Sequence, residues 1–149
     1  MRETPIGAYI GRLIVLQEAR NLIEVAEDDL SNAVVLLWLS ENSWTPEELG
    51  ISINRLAASN VLGITVAGAR PDESFTFLLE TLSHLPIDRH IMTGVVNSTE
   101  IADSVEDFLL STYPDERYFD EWNEYRIIEI GKSQQLIAAI KEVLKRHPK

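Results

Sequence analysis

Apolar residues run without a break through positions 33–39, Ala-Val-Val-Leu-Leu-Trp-Leu, between the polar Asn32 and the polar run Ser40-Glu41-Asn42-Ser43. Seven residues are too few to span a bilayer. They fit a strand buried on both faces, as in the middle of a parallel sheet. Residues 62–67, 91–96 and 126–130 echo the pattern, and a helical spacing separates each strand from the next.

The helices announce themselves at their starts. Thr45-Pro46-Glu47-Glu48 reads as a capping box with proline at the first helical position. Leu49, Ile53, Leu56 and Ala57 then share a face that Gly50 weakens, and Asn60 ends the element. Asp72 reads as the cap of a second helix with Phe75, Leu78, Leu79 and Leu82 inward, closed by Leu85-Pro86. Asn97-Ser98-Thr99-Glu100 reads as another capping box before Ile101, Val105, Phe108 and Leu109. The last helix places Leu136, Ile137, Ile140, Val143 and Leu144 on one face. Its final turn carries Lys141, Lys145 and Arg146, which suits the negative end of the helix dipole. In the first thirty residues, Ile10, Leu13, Ile14, Ala19, Leu22, Ile23 and Ala26 recur at helical spacing and predict a helix over 8–26. A strand over 9–16 is the alternative, because Ile14-Val15-Leu16 is a continuous apolar triplet.

These elements predict an α/β fold: a single doubly wound domain over 1–149, with a mainly parallel sheet of about four strands. Helices cover both faces, and a further helix lies at the N-terminus. By analogy with common doubly wound folds the strand order is taken as 2-1-3-4, counting from the 33–39 strand. A length of 149 residues suits one domain.

Charge changes the picture. The net charge is −11, and from Lys132 onward there are five basic residues and one Glu, so the first 131 residues carry eight basic and 23 acidic residues, net −15. Such a field repels nucleic acid and anionic membranes and attracts a basic partner. Cysteine is absent, which excludes disulfides, thiolate catalysis and zinc–thiolate sites. With no signal-peptide core after Met1, a cytoplasmic location is expected.

In an open α/β sheet, ligands sit at the carboxyl ends of strands where the order reverses. For order 2-1-3-4 that crevice is lined by Ser40, Glu41 and Asn42 after the first strand and by Asn97, Ser98 and Thr99 after the third, with Arg70 nearby. Gly131-Lys132-Ser133 ends like a phosphate-binding loop, but the position five residues before Gly131 is Arg126 rather than glycine, so only Lys132 is kept, as an anion contact. A phosphorelay receiver is excluded because Asn97 stands where the phospho-acceptor Asp belongs. His84, His90 and His147 lack metal spacing. No Gly-x-Ser-x-Gly elbow and no Gly-x-Gly-x-x-Gly loop occurs. No cofactor is expected.

The stretch 113–125, Tyr-Pro-Asp-Glu-Arg-Tyr-Phe-Asp-Glu-Trp-Asn-Glu-Tyr, holds five of the chain's eleven aromatics and five carboxylates. Asp115, Glu116, Asp120, Glu121 and Glu124 suit steering of a basic protein, and Tyr118, Phe119 and Trp122 suit anchoring it. The alternative is that Tyr118, Trp122 and Tyr125, which share a helical face, pack inward.

Three pieces together resemble an uncharacterised family of small bacterial α/β domains. They are Asp72-Glu73-Ser74 at a helix start, Pro86-Ile87-Asp88-Arg89-His90-Ile91-Met92-Thr93 entering a strand, and Asp120-Glu121-Trp122 ahead of Arg126-Ile127-Ile128-Glu129-Ile130-Gly131. The resemblance covers roughly 38–131. The chain departs from that family at Gly94-Val95-Val96 and at Arg70. The resemblance implies an α/β fold and a bacterial origin, and carries no activity. The expected function is a non-enzymatic acidic protein-binding module, immunity- or inhibitor-like, that neutralises a basic partner. A small-ligand or nucleotide sensor is the alternative, and an unrecognised hydrolase or transferase the third; homo-oligomerisation is open.

Overall fold

Strand β3 (Ala33–Leu39) is buried at every position, as a central strand between two helical layers must be. Val35, Leu37 and Leu39 face one apolar cluster, and Val34, Leu36 and Trp38 face the other. The computed structural model describes residues 2–24, 30–40, 44–98, 100–130 and 135–147.

The remaining elements are β1 (Arg2–Tyr9), β2 (Arg12–Ala19), α1 (Pro46–Ala58), β4 (Gly63–Gly68), α2 (Pro71–Ser83), β5 (Met92–Val95), α3 (Ile101–Ser111), β6 (Glu124–Ile130) and α4 (Gln135–Arg146). They form a six-stranded mixed sheet in the order β1-β2-β6-β3-β4-β5. Among the described residues only the β1–β2 pair is antiparallel. Helices α1 and α2 pack on one face of the sheet, and α3 and α4 on the other.

This corrects the expected four-strand sheet with an N-terminal helix. Up to Glu24, the last described residue of that range, the predicted helix over 8–26 is instead the β1–β2 hairpin and a short 3-10 turn at Leu22–Glu24. Ile10 and Gly11 connect the strands with φ of 43° and 80°, the doubly positive backbone of a two-residue hairpin turn. Gly11 accepts that geometry freely, whereas a β-branched Ile is strained there. The order is corrected as well. Strands β3, β4 and β5 step in one direction, and β6, the last in sequence, inserts between β2 and β3. The reversal therefore lies between β3 and β6, not between β3 and β5.

Local chemistry explains the helix starts. Thr45 Oγ1 accepts from the Glu48 N–H at 3.2 Å ahead of Pro46, a cap of about 1 kcal/mol. Asp72 is not a cap: α2 begins at Pro71 behind Arg70, whose backbone is left-handed at φ 52°. The second predicted box also differs. Helix α3 begins after Glu100, which makes no side-chain cap, and Ser98 Oγ accepts from the Glu100 N–H at 3.2 Å. The last helix packs as its pattern predicts, with Leu136, Ile140 and Val143 buried. Among the described residues no helix is long and apolar enough to cross a membrane.

Candidate interaction surface

The residues expected to line one crevice are split by the sheet order. Ser40 follows β3, while Asn97 and Ser98 follow β5, and β4 lies between them. Two strand spacings hold β3 and β5 about 9–10 Å apart. Ser40 donates its hydroxyl to the Ile130 carbonyl at 2.8 Å, tying the carboxyl ends of β3 and β6 together. Arg70 is engaged within the protein. Its guanidinium lies 4.1 Å over the Trp44 ring, donates to the Trp44 carbonyl at 3.2 Å and meets Glu73 at 3.5 Å. Asn97 is exposed and Ser98 half-buried. Asn42 and Lys132 lie outside the described residues, as do Glu41 and Thr99.

The observed reversal point brings forward a residue that the sequence reading passed over. Glu129 stands one residue before the end of β6 and is 2% exposed. Its neighbours across the sheet are Glu18 on β2 and Trp38 on β3. A carboxylate held at the carboxyl end of a central strand sits where open α/β sheets place ligands. Its only signal in the sequence was a single charge inside the apolar run Ile127-Ile128-Glu129-Ile130. Among the described residues no three or more His, Cys, Asp or Glu side chains cluster as a metal site would require.

The acidic–aromatic stretch lies at the opposite end of the sheet. The Asn123 N–H donates to the Asn32 carbonyl at 3.0 Å, and the Leu13 N–H to the Asn123 carbonyl at 3.1 Å. These bonds fix the stretch to the amino ends of β3 and β2. Its aromatic residues divide by depth. Tyr125 is fully buried and Trp122 is 6% exposed. Trp122 donates its indole N–H to the Glu124 carbonyl at 3.2 Å, with the Arg12 guanidinium 3.7 Å over its ring. Trp122 is thus packed in the core under an arginine lid, not displayed on the surface as its expected role as an anchor required. Tyr118 is half-buried under Arg89, 4.3 Å from the ring centre, with Arg117 at 5.4 Å. Phe119 and Tyr113 are 40% and 54% exposed, and their rings meet edge to face at 6.4 Å. Leu110, in the last turn of α3, is also exposed.

The carboxylates divide too. Asp115 pairs with Arg117 at 3.0 Å, and hydrogen bonds from the Arg117 side chain and backbone hold its carboxyl below the usual carboxylate range. Glu121 meets Arg89 at 3.3 Å. Glu124 is half-buried against Arg126 at 2.7 Å. Glu116 and Asp120 are exposed and meet no cation among the described residues. The outward surface therefore combines the rings of Tyr113 and Phe119 with two uncompensated carboxylates. That arrangement suits contact with an apolar, basic surface. No family model matches the chain, and no curated protein or solved structure is significantly similar to it.

Proposed function

We propose that the chain is a non-enzymatic, acidic protein-binding module, immunity- or inhibitor-like in chemistry. It docks a basic protein through the surface around Tyr113 and Phe119. The exposed, mutually packed ring pair carries this reading. Two large aromatic side chains left in solvent beside uncompensated carboxylates, on a chain of net charge −11, have the composition of an interface centre with electrostatic steering. Trp122 supports the pair from beneath, through its edge-to-face contact with Phe119 at 5.7 Å. Glu116 and Asp120 steer the encounter, and Asp115, Glu121 and Glu124 mainly hold the local arginines in place. The same charge disfavours nucleic acid and anionic membranes.

The test is differential capture. The protein and its Tyr113→Ala/Phe119→Ala variant are used in parallel to capture proteins from a cell lysate. A basic protein retained by the first and lost by the second is the expected result. Equal retention of every captured protein sinks the proposal. A second reading, a small-ligand sensor at the carboxyl ends of β3 and β6, is favoured by the buried Glu129. It predicts a metabolite that co-purifies with the protein and is lost from the Glu129→Gln variant.

A further inference from the structure

Strand β5 ends the sheet. The N–H groups of Met92 and Val96 point inward, donating to the Leu62 and Val66 carbonyls at 3.2 Å and 3.0 Å. Along a parallel strand the intervening residues face the other way, so Thr93 and Val95 turn their N–H and C=O groups to the free edge. The strand Met92-Thr93-Gly94-Val95 carries neither charge nor proline, the usual guards of an exposed edge.

A cavity of about 110 Å³ opens beside this edge on the α3 side, bordered by Thr65, Gly94, Asp107, Ser111 and Tyr113. At roughly 30 Å³ per water it has room for several waters or the end of one long side chain. Gly94 makes the space: it pairs with Thr65 across the sheet, and a Cβ at position 94 would stand 2.9 Å from Thr65 Oγ1. Thr65, 2% exposed, lines the cavity. The carboxylates of α3 differ in their partners. Asp103 meets Arg146 at 3.5 Å, and Glu106 meets Arg146 at 3.3 Å and His147 at 2.7 Å. Asp107 accepts only the Ser111 hydroxyl, at 3.1 Å, and meets no cation among the described residues.

We propose that β5 and this cavity form a strand-addition site for an extended segment of a basic partner protein, with one Lys or Arg side chain opposite Gly94 reaching Asp107 beside the Tyr113 ring. The site rests on the protein-binding reading above and gives that partner its docking mode. Main-chain bonds to Thr93 and Val95 supply affinity. The side chain over Gly94 supplies specificity, because alternate residues of an added strand face the cavity. Charge selects the occupant. A basic segment meets an open carboxylate, whereas a second copy would bring net −11 against net −11.

The experiment selects binders to the 149-residue chain from a displayed library of random dodecapeptides. Selected peptides are expected to share a Lys or Arg flanked at alternate positions by β-branched residues. Thr93→Pro removes only an outward N–H, a change that edge strands tolerate. It and Asp107→Lys are each expected to weaken binding by about tenfold or more, while Glu80→Lys, an equal charge change on α2, leaves it within about threefold. Thermal midpoints verify folding, and Val95→Pro, which removes the other outward N–H of β5, serves as the second edge variant if Thr93→Pro unfolds. Absence of a basic consensus, or equal binding to wild type, Asp107→Lys and the edge variant, overturns the site. So does a concentration-dependent dimer abolished by Thr93→Pro, which identifies the occupant as a second copy. If Phe119→Ala loses a captured basic protein that Thr93→Pro and Asp107→Lys both retain, this site fails while the broader protein-binding reading stands.

Discussion

Replacing Tyr125 by Phe is expected to stabilise the protein. The side chain is 0% exposed, and its ring packs against Trp122 at 5.3 Å, Phe108 at 5.9 Å and Tyr9 at 6.2 Å. Its hydroxyl reaches no hydrogen-bond partner among the described residues. Burying an unmet hydroxyl costs about 1–3 kcal/mol. Removing it keeps all three ring contacts and leaves only a small void, so the net gain is about 1 kcal/mol. For a domain of this size that raises Tm by about 2–4 °C. The same burial pushes the Tyr125 phenol up from 10.0 to about 12. Between those values the folded form keeps its proton while the unfolded form releases it. The contribution is therefore fully present below pH 10 and is lost as pH rises through about 12, at about 1.4 kcal/mol per pH unit. Urea midpoints of wild type and Tyr125→Phe at pH 8, and at intervals between pH 9.5 and 11.5, read both effects. The other tyrosines are common to both proteins, so the difference isolates this one. A variant less stable than wild type by about 1 kcal/mol or more at pH 8 would show that the hydroxyl is satisfied, and alkaline curves that run parallel would show that folding does not raise its pKa; either result refutes the reasoning.

Other substitutions probe the scaffold. Gly68 has φ 102°, and a Cβ there would fall 2.2 Å from the Leu39 carbonyl oxygen, so Gly68→Ala should lower stability by at least about 2 kcal/mol in chemical denaturation. Arg126, with its side chain 8% exposed, holds Glu124 at 2.7 Å and Glu3 at 3.2 Å. Arg126→Leu strips a guanidinium from the half-buried Glu124 and should cost about 3 kcal/mol, read from the urea midpoint. The Glu106 carboxyl is held below its ordinary value of 4.5, first by its hydrogen bond to His147 and then by the charge of Arg146. Its contribution is present above pH 4.5 and lost as pH falls through the lowered value. Glu106→Gln should therefore flatten the acid limb of the stability curve below pH 5, and an unchanged limb would show that the pair adds nothing.

Much of the scaffold was legible where local chemistry decides. The unbroken run 33–39 marked the central strand because only a strand covered on both faces keeps seven consecutive residues from water. The Thr45-Pro46-Glu48 start of α1 was legible because a cap is settled within one turn. The N-terminal hairpin was not. Strand β2 buries Ile14, Val15 and Leu16 on both of its faces, which erases the alternation that marks a strand, and the turn places Ile10 where Asn or Asp would have signalled it. Strand order was out of reach, since the insertion of β6 between β2 and β3 joins residues more than a hundred positions apart. The expected crevice failed with it, and Glu129 came forward only once β6 was central. In the acidic–aromatic stretch, composition flagged the segment, but depth depended on partners elsewhere. Arg12, from the hairpin, covers Trp122, and Arg89, from the segment before β5, covers Tyr118. Tyr113 and Phe119 were left to the surface.

Hydrogen–deuterium exchange of the 149-residue chain, alone and with a basic protein that it captures, tests the central claim most directly. A docking face formed by β5 and the acidic–aromatic stretch predicts slowed exchange at residues 92–95 and 113–121, and unchanged exchange beyond the carboxyl ends of β3 and β6. Protection confined to residues 40–44 and 130–135, with the β5 edge exchanging as in the free protein, would contradict the account.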